Sequence, residues 1–420
     1  WQRLAKTVGY EKEINKIENQ LYPTKEKIAQ VEFHPLSLNP YENSYGIIFK
    51  EICDQLSKDS LDYLFLAPAM SGRGGTEKLI ANYIKAIKEV HPNWNIGILS
   101  TQPFNDLTLE YFSNLNVDMI DFGRLTSHIG DYEKNIIWSK FLIQSKVKSL
   151  HLLNDEYWYR WLSQHKSVIR EENIKLNISL FMREFNFEKD RISSFADPYL
   201  VEVWDIVNLV FTDNRKIIDQ ALENNAFEES KFRVHYQPES IDLSEPKSID
   251  PSKQTKILWA SRIALQKRPD LLKKISNKLP EDFTIDAYGI IEKKQYDKNY
   301  FNGSRVNYKG AFNGIKSLKT EDYDIYLYTS QTDGIPNILL EVIASGLPIV
   351  ASNIGGIGEL IRNNKSGILV DMEDIDAYVE AIKSLKNSPE KTVKFIKTSQ
   401  KILESQHSWS KFIENIRKDI

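Results

Sequence analysis

The stretch from Thr329 to Glu359, TSQTDGIPNILLEVIASGLPIVASNIGGIGE, constrains this chain more than any other. It reads as acidic loop, helix, buried strand, glycine turn and second helix. Asp333 and Glu341 lie eight positions apart, so one carboxylate falls in the loop before a helix and the other about a turn inside it. Gly334, Ile335 and Pro336 are expected to open that helix, because the N–H that proline lacks has no partner in a first turn. Free amides at such a start attract phosphate. An acid further along can take two neighbouring ribose hydroxyls. An ordinary strand–helix unit with a core helix LLEVIA and a surface Glu341 explains the apolar pattern equally well. It does not explain why Gly346-Leu347-Pro348 and Gly355-Gly356 punctuate the segment at set offsets.

At 420 residues the chain exceeds a single ordinary core, and two domains are the natural reading. Its apolar fraction of 41% and charged fraction of 27% are those of a globular protein rather than a disordered one. A net charge of −3, with acids interleaved among the lysines, gives no basic field for nucleic acid. The single cysteine, Cys53, excludes an internal disulfide framework and fits a reducing, cytoplasmic compartment. No apolar run reaches the roughly 20 residues of a membrane span. The first residue is tryptophan, which suggests a piece of a longer, multidomain chain.

Residues 1–60 are charged and helical in pattern, a helical N-terminal extension in which EKEINKIENQLYPTKEKIAQVE reads as a solvated helix, a short coiled-coil arm or the tail of a preceding domain. From Leu61 strands and helices alternate: LDYLFLAPAM, a glycine turn SGRGG, the helix TEKLIANYIKAIKEV, then further short apolar runs. Such alternation predicts a parallel sheet with helices on both faces. The polar, proline-bearing stretch PESIDLSEPKSIDPSKQT reads as a linker, after which the pattern restarts at KILWAS. The expected fold class is α/β, two Rossmann-like parallel-sheet domains facing a central cleft. The first spans 61–245 and the second 246–405, with a terminal helix over 406–420. Ligands in such sheets bind beyond the carboxyl ends of the strands.

Asp333-Gly334-Ile335-Pro336-Asn337, Leu340-Glu341-Val342, Ala344, Gly346, Pro348, Gly355-Gly356 and Glu359 together resemble the signature of the retaining glycosyltransferases of the GT-B fold, family four, also called glycosyl transferases group 1. The first acid of the family's pair is usually glutamate and is aspartate here, one methylene shorter. WASRIALQKRPDLL resembles the family's diphosphate-binding element, with Arg262 and Lys267 at its two cations, Ser261 in place of a glycine and Arg268-Pro269 in place of the glycine after the lysine. SGRGGTEK resembles the glycine loop of the family's first domain, with Gly74 and Gly75 allowing close backbone approach and Glu77 supporting the loop. The resemblance covers roughly residues 61–420.

It implies a nucleoside-diphosphate sugar as donor substrate, no cofactor and no obligatory metal, and a glycan or other hydroxyl acceptor in cell-surface polysaccharide or glycoconjugate synthesis. Peripheral association with the inner face of the membrane is a further expectation. Glu341 is implied to hold the ribose. Arg262, Lys267 and the amides of Gly334 and Ile335, flanked by Pro336 and Asn337, are implied to hold the diphosphate. Asp333 is implied to meet the sugar. The acceptor would enter near Gly74, Gly75, Asn154 and Asp155, although Asn154 and Asp155 serve equally as a helix cap. Arg183 and Glu184 end the strand ISLFM, where many members carry a histidine; a phosphate contact and a simple ion pair are both open. The seven histidines show no metal-ligand spacing. Asp322-Tyr323-Asp324 matches an acidic position before a strand better than a metal site. Trp158, Tyr159 and Trp161 read as core before sugar platforms. A second class of function also fits, a non-catalytic nucleotide-sugar or glycan-binding module of a larger polysaccharide-assembly protein. Turnover of donor separates the two. A GT-B epimerase would be expected to show more histidines near the cleft.

Overall fold

The strands that build the first sheet are buried at most positions because both faces are covered, the pattern of a buried parallel sheet. In β1 (Tyr63–Ala67) every residue is buried: Leu64 and Leu66 enter one core, Tyr63, Phe65 and Ala67 the core on the opposite face. The computed structural model describes residues 40–70, 72, 74–181, 185–186, 191–192, 196–239, 242–292 and 296–420. Beside β1 lie β2 (Ile96–Ser100), β3 (Asp118–Ile120), β4 (Ser149–Leu153) and β5 (Lys175–Ser179). A two-stranded pair, β6 (Phe185–Asn186) with β7 (Arg191–Ile192), precedes β8 (Val207–Thr212) and β9 (Phe232–Val234). The order in the first sheet is β3-β2-β1-β4-β5-β8-β9, parallel throughout.

The second sheet repeats the scheme with β10 (Thr255–Ala260), β11 (Phe283–Tyr288), β12 (Val306–Gly310), β13 (Ile325–Tyr328), β14 (Ile349–Ser352) and β15 (Ile368–Val370). Its order is β12-β11-β10-β13-β14-β15, again parallel. Ile257 and Trp259 of β10 pack on one face, Leu258 and Ala260 on the other. Two parallel-sheet α/β domains are thus present.

The helices that position the cleft are, in chain order, α1 (Pro40–Cys53), α2 (Gly75–Val90), α3 (Glu156–Gln164), α4 (Arg215–Asn224), α5 (Pro269–Lys278), α6 (Asn337–Ala344) and α7 (Trp409–Asp419). The stretch read as a solvated helix, a coiled-coil arm or a tail, residues 11–32, lies outside the described residues, whereas α1, further along the N-terminal extension, packs on the first domain. Ile48, Phe49, Ile52 and Cys53 are buried in the core of the first domain, because its apolar residues recur on one helical face. Residues 1–39 lie outside the described residues. The terminal helix α7 returns to the first domain. Phe412, Ile413 and Ile416 join the core formed by Tyr83, Ile84 and Ile87 of α2. Asp419 accepts from Arg233 and His235, each at 2.9 Å. No helix among the described residues is long and apolar enough to cross a membrane.

The loops after the carboxyl ends of β8 and β13 meet. Asp213, which follows β8, accepts a hydrogen bond from the N–H of Ile335, beyond β13. The two sheets therefore confront each other through their carboxyl-end loops across one cleft.

Candidate active site

On the second-domain wall two loops are stitched together by hydrogen bonds to their backbone carbonyls. Thr329 Oγ1 donates to the Lys267 carbonyl at 2.8 Å, Gln331 N–H to the Gln266 carbonyl at 2.7 Å, and Gln266 Nε2 to the Thr332 carbonyl at 2.7 Å. The stitching brings Lys267 Nζ to Asp333 Oδ2 at 2.5 Å. The same carboxylate oxygen accepts from Ser330 Oγ at 3.0 Å and from the Tyr328 hydroxyl. Lys267 also donates to Tyr328 at 3.0 Å. Burial, and then the Asp333 charge, lift the Tyr328 phenol well above its ordinary range, so it stays a neutral donor. Arg262, expected as the matching cation, is exposed and held by Glu292 at 2.5 Å and Gln266 at 3.3 Å. The two cations are unequal: one buried and fixed, one at the rim.

The helix start differs from the sequence expectation. α6 begins at Asn337, and Pro336 stands just outside it with an extended backbone (φ −68°, ψ 126°). A residue before proline is pushed out of the helical region, which keeps Ile335 in the loop. The amides of Gly334 and Ile335 therefore precede the helix rather than form its first turn. The Ile335 amide is also engaged, donating to Asp213 Oδ2 at 3.0 Å. Asp213 is buried, and burial pushes its carboxyl up to about 7 against the pull of the Ile335 and Asn214 hydrogen bonds, with the charge of Asp333 adding to the rise. Asn337 faces the first domain: its amide nitrogen lies 3.5 Å from where a Cβ on Gly75 would stand.

Glu341 uses both oxygens. Oε2 accepts the Ile315 N–H at 2.9 Å, and Oε1 lies 3.3 Å from Lys78 of α2, which also pairs with Glu239 at 2.6 Å. Burial alone would lower the Lys78 ammonium, but the two carboxylates outweigh it and leave it above the ordinary lysine value. The turn that presents Ile315 passes through Gly314 at φ +73°, a conformation that favours glycine. It borders a cavity of about 610 Å3 lined by Tyr288, Phe312, Asn313, Lys319 and Tyr323.

On the first-domain wall Glu77 fixes the glycine loop by accepting the Gly72 N–H at 2.6 Å, while Gly74 caps α2 with extended backbone. Asp155 both caps α3, accepting the Tyr157 N–H at 2.9 Å, and binds the Thr101 hydroxyl at 2.5 Å. Burial raises its carboxyl and these bonds resist the rise. Asn154 and Asp155 line a second cavity, of about 440 Å3, with Thr101, Gln102, Phe122 and Tyr157. Arg183 and Glu184 lie outside the described residues. Trp158, Tyr159 and Trp161 are fully buried core, and His151 is satisfied by Tyr63 at 2.8 Å and Ser179 at 2.6 Å. Asp324 accepts the Lys256 N–H at 2.8 Å.

Residues 240–402 match the model of the family Glycosyl transferases group 1. The second domain belongs to that family. A relative described as an uncharacterized glycosyltransferase of Haemophilus influenzae is 26% identical over 52% of this chain and 63% of its own length. The O-antigen biosynthesis glycosyltransferase WbnH of Escherichia coli is 26% identical over 44% of this chain and 52% of its own. The chain thus spans about half to just under two thirds of these relatives. In fold it resembles HepE of Anabaena, solved in complex with UDP-glucose, with a TM-score of 0.65 at 15% identity over 85% of this chain and 98% of that one. The two-domain arrangement is the GT-B fold.

Within the group 1 domain, Arg268 occupies the left-handed region at φ +53°, where the resembled pattern carries glycine. The conformation costs about 1–2 kcal/mol for a side-chain residue. Its guanidinium is held by two bonds to Asp270 at 2.9 Å and one to Glu373 at 2.7 Å, which keep the lysine loop in shape without the glycine. Sequence reasoning missed three groups that touch the group 1 site: Asp213, Lys78 and the cavity beside Gly314. Asp213 had a signal. Asn214 alone caps α4, through the Ile217 N–H at 3.0 Å, so one of two adjacent cap-type residues was surplus.

Proposed function

We propose that this protein is a glycosyltransferase that moves a sugar from a nucleoside-diphosphate sugar to a hydroxyl acceptor with retention of configuration. The observation that carries the reading is a convergence on one wall of the cleft. Glu341, the Ile335 amide, the Lys267–Asp333 pair and the 610 Å3 cavity all lie in a group 1 glycosyltransferase domain. The base enters the cavity beside Tyr288 and Phe312. The ribose hydroxyls donate to Glu341, one turn away through Ile315. The diphosphate meets the amides of Gly334 and Ile335, Lys267, and Arg262 at the rim. Fixed donors and cations aimed at a departing phosphate stabilise it where other enzymes use a divalent ion, so no metal is required. Asp333, held by Lys267, Ser330 and Tyr328, meets sugar hydroxyls.

The acceptor approaches from the cavity at Thr101, Asn154 and Asp155. Its oxygen bonds to the anomeric carbon on the face from which the phosphate leaves, and the leaving phosphate takes the hydroxyl proton. No separate catalytic base is needed. Relatives named for O-antigen biosynthesis support a cell-surface glycan as the acceptor class. The test is a panel of nucleotide sugars, scored by thermal stabilisation and by release of nucleoside diphosphate. One donor is expected to raise the melting point and to turn over slowly without acceptor. Stabilisation without any release would instead fit a binding module.

A further inference from the structure

Two of the groups assigned to the donor, the Ile335 amide and Glu341, are already occupied from across the cleft. Asp213 of the first domain sits on the Ile335 amide at 3.0 Å, and Lys78 of the first domain sits on Glu341 at 3.3 Å. Each has the character of the ligand part it replaces: a carboxylate where phosphate oxygens would accept, and an N–H donor where ribose hydroxyls would donate. The fit is tight. A Cβ added to Gly334 would stand 2.7 and 2.8 Å from the two Asp213 oxygens, and the Phe181 carbonyl is closer still. That leaves no room for a phosphate between the Asp213 carboxylate and this turn. At Gly356 an added Cβ would meet Asn214 of the first domain. A third link runs the other way. Glu359 of the second domain accepts the N–H groups of Arg215 and Lys216 at the start of α4, at 2.7 and 3.2 Å, and the Tyr236 hydroxyl at 2.7 Å.

We propose that Asp213 and Lys78 form an autoinhibitory contact, an internal counterpart of the nucleoside diphosphate that seats the first domain in the donor site and must be displaced for the donor to enter. The proposal rests on the donor reading of Glu341 and Ile335 given above. Its consequence follows from mass action. A ligand that binds only the unseated form has its affinity reduced by the fraction of molecules unseated, so weakening the contact strengthens binding. Burying a carboxylate and an ammonium is costly, which makes the contact displaceable.

The experiment titrates UDP, ADP and GDP by calorimetry into the full chain and into Asp213→Ala, Lys78→Met and Glu341→Ala. For the nucleotide that binds, Asp213→Ala and Lys78→Met are expected to bind it roughly tenfold more tightly than the unaltered chain, and Glu341→Ala to lose it. X-ray scattering should show the unaltered chain expanding when the nucleotide is added, and Asp213→Ala expanded beforehand. Unchanged or weaker binding by both variants, with Glu341→Ala still deficient, would overturn the autoinhibitory contact and leave the donor reading standing. Full binding by Glu341→Ala, or none by the unaltered chain, would remove the donor reading and this proposal with it. If Asp213→Ala does not fold, Lys78→Met carries the same prediction alone.

Discussion

The two walls of the cleft are built differently. On the second-domain wall the polar groups are charged and already paired: Lys267 with Asp333, Arg262 with Glu292, Glu341 with Ile315 and Lys78. On the first-domain wall they come from strand ends far apart in sequence. Thr101 and Asp155 share a hydrogen bond across 54 positions, and Gln102, Phe122 and Tyr157 complete the cavity. The difference fits the roles proposed for the two walls. On the proposed reading the second wall holds the diphosphate, which is the same in every donor, with a fixed set of paired charges. Acceptors differ, and side chains gathered from several loops shape that side.

The sharpest test of the second wall is the inequality of its cations. Lys267→Ala is expected to cut transfer by about a thousandfold, and to lower the melting point because it leaves the half-buried Asp333 without its cation. Arg262→Ala, whose partner Glu292 is solvent-facing, should cost roughly tenfold and leave the melting point unchanged. Steady-state rates and calorimetric scans on both variants check this, and equal losses would erase the distinction. Next in size, Glu341→Ala is expected to lower kcat/KM for the donor by about a hundredfold, the loss of two hydrogen bonds to a charged group. Donor-dependent kinetics decide it.

How much of this was legible follows the same division. The strand–helix alternation, the glycine turns and the punctuated segment at Asp333–Glu359 expose the GT-B fold, because parallel buried strands and their turns leave local signals. The identity of the residues around Glu341 was equally local. The partners of those residues were not. Nothing near Ile335 in sequence shows that its amide is taken by Asp213, 122 positions away. The pairing of Lys78 with Glu341 spans 263. The helix start was misplaced because proline suits a first turn and the position just before it equally. The burial of Ile48, Phe49 and Ile52 against the first domain was likewise not legible, because it depends on where the first sheet places its core.

Two smaller effects sharpen the comparison. Asp155→Ala is expected to raise the acceptor KM roughly tenfold while leaving slow donor hydrolysis unaltered; a matching fall in hydrolysis would put Asp155 on the donor side instead. The smallest is a pH effect at the seam. Asp213 is faced by Asp333 from the second domain and by Tyr83 and Tyr236 from the first. Its carboxyl is raised from 3.8 to about 7 by burial, so folding takes up a proton between those values. Stability from this group is fullest below the lower one and is lost as pH rises through about 7. The melting point of Asp213→Asn relative to the unaltered chain should therefore climb between about pH 4 and 7 and level off above that. A constant offset would show that Asp213 titrates normally.

The most direct measurement is a crystal structure of the full chain with UDP-glucose or whichever nucleotide sugar stabilises it. The account predicts ribose hydroxyls on Glu341, the diphosphate on the Ile335 amide and Lys267, and Asp213 and Lys78 withdrawn from both. A nucleotide bound elsewhere, or bound there with the Asp213–Ile335 and Lys78–Glu341 contacts intact, would contradict it.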